Sequence, residues 1–117
     1  MIEGWAAIFN VVDLHGDCIM PGAFRLSIMR KSEYPMLLEH KQCIGRWSRV
    51  IETPKGLYVI GFVNKDLMPL QRGLSIGYVP RKYINKNGVR YISAIDLYEI
   101  SIVKNPANRF ATLLDVS

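Results

Sequence analysis

Arg81-Lys82-Tyr83-Ile84, followed by Asn87-Gly88 and the long run Val89 to Val103, reads as two strands joined by a tight turn. Asn-Gly is the strongest short hairpin signal, because a two-residue type I′ turn needs positive φ at both central positions. Outward from this hairpin, Pro106 closes the long run and Ala111 to Val116 fits a last short strand. On the other side, Gly73 begins a strand through Tyr78 that Pro80 is expected to interrupt, since proline cannot donate to a ladder. Asp66 to Arg72 fits one helical turn or a loop. Ile44 to Glu52 and Gly56 to Val63, separated by Thr53-Pro54-Lys55, read as a second hairpin. Met36-Leu37-Leu38 is an apolar run that ends at Glu39-His40. Ala23 to Lys31, opened by Pro21-Gly22, places Phe24 and Ile28, and Leu26 and Met29, at helical spacings. Ile2 to Val12 is strand-like and ends in the polar turn cluster Asp13 to Asp17. The pattern predicts a mainly β or α+β fold, a small closed or partly open β-barrel of about six to seven strands with one or two short helices.

No repeat or linker divides the chain, so residues 1–117 are expected to form a single domain. Half of the residues are hydrophobic and 21% are charged, which excludes disorder, collagen and coiled coil. No apolar run approaches the ~20 residues that cross a bilayer. Glu3 stands where a signal peptide would carry lysines, so a soluble, unexported chain is expected. Cys18 and Cys43 can form at most one bridge and are read as reduced thiols of a cytosol-like compartment. The net charge of +5 favours acidic partners in general. The basic residues are scattered without interleaved aromatics, so nucleic-acid binding is not expected.

The segment Gly73-Leu74-Ser75-Ile76-Gly77 matches G-x-S-x-G. Its context is wrong for an α/β-hydrolase elbow, because Tyr78-Val79-Pro80 follows in place of a helix and both histidines precede the serine. Ser75 can still be a nucleophile if a neutral imidazole takes its proton and a third group orients that imidazole. His15 lies in a glycine-acid turn, and His40 ends an apolar run that would hold its ring. For the third member, Asp96 and Glu99 share one apolar strand, and their spacing points them to opposite faces. His15-x-x-Cys18 and His40-x-x-Cys43 also supply four potential zinc ligands. Structural zinc loops favour C-x-x-C or H-x3-5-H spacings, and a chain this apolar needs no metal to fold, so neither metal nor cofactor is expected.

Four blocks carry a wider likeness. They are Gly4-Trp5-Ala6 through Phe9 with Asp13, Gly16-Asp17 and Pro21-Gly22-Ala23-Phe24; Met36-Leu37-Leu38-Glu39-His40 with Ile44-Gly45-Arg46 and Gly56-Leu57-Tyr58-Val59; Leu74-Ser75-Ile76-Gly77-Tyr78; and Asp96 to Val103 with Asn105-Pro106-Ala107-Asn108. In this order and over nearly the whole chain, the sequence resembles the HK97-type prohead (capsid maturation) proteases of tailed phages. The resemblance implies an assemblin-like barrel and a serine endopeptidase. Its substrates would be scaffold or major capsid protein segments, cut in the cytoplasm within an assembling procapsid, without a membrane and compatibly with a homo-oligomer. By position it implies His40 as base, Ser75 as nucleophile and Glu99 as third member, with Asp96 the alternative. It also places the oxyanion donors in the loop near Asn105 to Arg109, at Ala107 and Asn108. The segment Asn64 to Arg72 is shorter than the helix that relatives carry there. The competing expectation is a catalytically silent assembly or binding module on the same barrel.

Overall fold

The computed structural model describes residues 1–116, so only Ser117 of the expected domain lies outside the described residues. The elements run β1 (Ile2–Ile8), β2 (Asp17–Ile19), α1 (Arg25–Arg30), β3 (Tyr34–Leu38), β4 (Gln42–Glu52), β5 (Gly56–Val63), a 3₁₀ turn (Lys65–Leu67), β6 (Gly73–Lys86), β7 (Val89–Val103) and β8 (Leu113–Val116).

The hairpin β6–β7 is the spine of the sheet, paired from Gly73↔Val103 at one end to Lys86↔Val89 at the turn. Asn87 and Gly88 have φ of 52° and 79°, as a type I′ turn requires. With one edge of β7 taken by β6, its other edge receives two parallel strands, β2 at Arg90 to Ile92 and β3 at Ile100 to Ile102. From β3 the sheet continues through β4, β5 and β1 to β8. A single bridge, Gly73↔Thr112, brings the last strand back to the start of β6. The product is a mainly β, curled half-barrel of eight strands with one short helix, the mainly β class that the sequence pattern predicts, with the short β2 as the added strand.

Helix α1 fills the gap that β2 and β3 leave on β7. The Ser27 hydroxyl donates to the Ile95 carbonyl at 2.7 Å and accepts from the Leu97 amide at 2.9 Å, replacing a missing strand. The Glu52 carboxylate accepts the Gly22 and Phe24 amides at 3.1 and 2.9 Å, which satisfies donors at the helix start. Inside the curl, Phe24, Tyr34, Met36, Trp47, Leu57, Leu74, Ile100 and Ile102 are fully buried, each contributing on the order of 1.5–3 kcal/mol. The Trp47 indole donates to the Ile100 carbonyl at 2.9 Å, so this large ring is buried without an orphaned donor.

Some boundaries differ from the sequence pattern. The first strand ends at Ile8 instead of Val12, because the backbone turns at Asn10 with φ 63°. Residues Asp17 to Ile19, expected to lie between a turn and a helix, form a strand. The helix is also shorter than Ala23 to Lys31. Pro80 does not interrupt β6. The ladder shifts register between Pro80 and Lys82, and among the described residues only β7 pairs with β6 there, so the proline sits at an edge strand's irregularity, where it is tolerated.

Candidate active site

Strands β3 and β4 are joined by a two-residue turn whose central residues are Glu39 and His40, closed by the Lys41 amide on the Leu38 carbonyl at 3.0 Å. Both central residues are left-handed, with φ of 51° and 62°. Neither is Asn or Gly, so each costs roughly 1–2 kcal/mol of backbone strain. Contacts to β7 and the segment after it hold the turn. The Glu39 amide donates to the Ile102 carbonyl at 3.0 Å, and the Glu39 carboxylate accepts the Lys104 amide at 3.0 Å. The His40 amide donates to the Ser101 hydroxyl at 3.1 Å. Strain retained at such a position is characteristic of functional sites.

The ring of His40 is thereby set beside Glu99 of β7, with Nδ1 2.5 Å from Oε1. A carboxylate only accepts, so the proton of a neutral His40 lies on Nδ1 and its Nε2 is left as the basic nitrogen. The second carboxylate oxygen accepts the Ser101 hydroxyl at 2.7 Å. The Glu99 side chain is 6% exposed while that of His40 is 43% exposed, so the carboxylate is sealed and the ring is open to a ligand.

Ser75 lies in β6 directly across from Ser101. It is half-buried and lines the same cleft as His40, Ala107 and Asn108. Its hydroxyl makes no hydrogen bond among the described residues, and catalytic hydrogen bonds commonly tighten only when substrate is bound. The loop of Ala107 and Asn108 is pinned at both residues. The Ala107 carbonyl accepts the Leu14 amide at 3.0 Å, and the Asn108 side chain donates to the Ile8 carbonyl at 3.0 Å.

The remaining candidates are placed elsewhere. Contrary to the expected opposite faces, the register shift at Tyr98 turns Asp96, which lies across from Val79, to the same face of the sheet as Glu99, which lies across from Gly77. Asp96 is paired there with Arg81 at 2.5 Å and Arg30 at 3.9 Å and not with a histidine. His15 reaches the cleft through the Asp13 to Asp17 turn, but Cys18 is buried and Cys43 exposed. Among the described residues no group of three metal-ligating side chains comes together.

Sequence reasoning passed over two parts of the cleft. Ser101 shares the strand face of Glu99 two residues away, a parity signal that was available. Asp17, Tyr78 and Arg90 had no local signal, since they meet only in the fold. Arg90 forks onto both Asp17 oxygens at 2.8 and 2.9 Å, and the Tyr78 hydroxyl donates to Asp17 at 2.8 Å. The Arg90 hydrogen bonds outweigh the opposing effect of burial and hold the Asp17 carboxyl below its usual range. Burial first, and then the bond to Asp17, push the Tyr78 phenol up. Tyr78 is therefore a neutral wall of the cleft.

The model of the caudovirus prohead serine protease family matches residues 1–116. The chain belongs to this family. It is 32% identical to the prohead protease of Enterobacteria phage HK97 over 129 aligned positions, which cover 95% of this chain and 57% of that protein. The chain therefore spans little more than half the length of that relative. In this member of the family the Ser75 hydroxyl, the open His40 imidazole and the sealed Glu99 carboxylate are carried by β6, the β3–β4 turn and β7 respectively. No helix among the described residues is long and apolar enough to cross a membrane.

Proposed function

We propose that this chain is a serine endopeptidase of procapsid maturation, with Ser75 as nucleophile, His40 as general base and Glu99 as the group that orients it. The contact of His40 Nδ1 with the buried Glu99 carboxylate, beside a cleft that also holds Ser75, carries the reading. In the first half-reaction Ser75 Oγ attacks the scissile carbonyl carbon and passes its proton to His40 Nε2. The imidazolium so formed is stabilised by Glu99 and then gives the proton to the leaving amine. Water repeats the sequence on the acyl-enzyme and releases the second product. The backbone amides of Ala107 and Asn108 donate to nothing among the described residues, and they are the candidate donors to the developing oxyanion, each worth a few kcal/mol in such sites (~3).

Family membership supports capsid or scaffold protein as the substrate and the assembling procapsid as the place of action. The test is incubation of purified chain with the co-encoded major capsid or scaffold protein, followed by mass analysis of the fragments. Discrete fragments with wild type and none with Ser75→Ala are expected. Intact substrate in both would favour the silent assembly module, and equal cleavage by both would remove Ser75 from the mechanism.

A further inference from the structure

Two residues outside the triad control where the Glu99 carboxylate lies. Gly77, the second glycine of the G-x-S-x-G stretch, is the cross-strand partner of Glu99. The Glu99 side chain folds over the space where any other residue would carry its Cβ. That atom would stand 2.7 and 2.8 Å from Glu99 Cγ and Cδ, and closer still to Oε1, the oxygen that meets His40. Gly77 is in the ordinary β region, so it is not there for backbone freedom. Its missing side chain is room for the carboxylate.

Ser101 secures the other oxygen. It is fully buried, donates to Glu99 Oε2 at 2.7 Å and accepts the His40 amide at 3.1 Å. One hydroxyl therefore ties the carboxylate to the backbone of the residue it orients. Resting on the protease reading above, we propose that Gly77 and Ser101 are positioning residues that together hold Glu99 Oε1 on His40 Nδ1.

In Gly77→Ala the nearest clash is with the Glu99 side chain and not with backbone, so the strand can persist while the carboxylate swings away. In Ser101→Ala the space is kept and the tether is lost. Asp13, His15, Asp17 and Tyr78 line the cleft with His40, and Tyr98 lies on the Glu99 side, so several groups besides Glu99 face the ring. The direct readout is therefore the far-downfield proton resonance of the His40–Glu99 hydrogen bond, assigned by its loss in Glu99→Gln. Both variants should keep the wild-type circular dichroism and lose or displace this resonance. They should also lower kcat about 10²-fold with KM within about twofold, the scale of a 1 Å misplacement. In the Glu99→Gln background neither should cost anything more. A resonance unmoved in both variants overturns the proposal, as does a full additive loss on top of Glu99→Gln. If Gly77→Ala does not fold, Ser101→Ala alone decides by the same criteria. If the resonance behaves as expected but wild type cleaves no capsid or scaffold protein, the positioning stands and the endopeptidase reading falls.

Discussion

Two nearby positions of the β6–β7 ladder treat the same kind of residue in opposite ways. Across from Gly77, Glu99 is 4% exposed and bonded to His40 and Ser101. Three residues away, across from Val79, Asp96 has a side chain 35% exposed and meets Arg81 and Arg30 at the surface. Both are carboxylates in one strand with cationic or imidazole partners. The difference teaches that exposure sets what an acid does, since a solvated ion pair is worth little and a sealed carboxylate can only act on the partner it faces.

The sharpest way to break this comparison is at the groups that Glu99 serves. Ser75→Ala and His40→Ala should each lower cleavage by at least ~10⁴-fold, because the pair acts as one unit. Glu99→Gln should follow at about 10⁴-fold with little change in thermal midpoint, as removal of the orienting acid does in another triad. If Asp96→Asn is the inactive variant and Glu99→Gln is not, the comparison is inverted.

A third, sealed acid extends the comparison to stability. Asp17 is 5% exposed, and its Arg90 partner has a side chain 36% exposed. Asp17→Asn should therefore cost about 2 kcal/mol near neutral pH, below the 3–5 of a fully buried pair, or roughly 8 °C in midpoint. The folded carboxyl is held below its ordinary range, so this stabilisation is present above that range and is lost as pH falls through the folded value. Calorimetry from pH 7 downward should show the wild-type and Asp17→Asn midpoints converging below about pH 4. A gap that stays constant into that range would mean that the ion pair contributes nothing. The smallest effect belongs to Asp96→Asn, with a midpoint within about 2 °C of wild type and cleavage within about twofold, because its pair is solvated and screened.

What the sequence made legible was local. Asn87-Gly88 announced its turn because composition and backbone demand agree there. Glu39-His40 adopts the same left-handed pair with no turn signal, since the bonds that hold it come from Ser101, Ile102 and Lys104, far along the chain. Strand parity failed for Asp96 and Glu99, because an extra residue at Tyr98 shifts the register and returns both acids to one face, and what separates them is their partners. The strand at Asp17 to Ile19 was illegible, because three residues between a turn and a proline acquire a ladder only from β7. Pro80 was misjudged because the sequence does not say that the other edge of β6 is free at that point.

The double occupancy of one edge of β7 has a consequence for biosynthesis. Both β2 and β3 pair in parallel with a strand made long after them, Asp17 with Arg90 and Met36 with Ile100. Until residue 103 has left the ribosome, the hairpin β4–β5 and its neighbours have no surface on which to close, and the Glu39-His40 turn has nothing to hold its strain. Folding dominated by such distant pairings falls in the slow range of roughly milliseconds to seconds. The nascent chain therefore emerges without the contact of His40 with Glu99, which forms only when β7 docks.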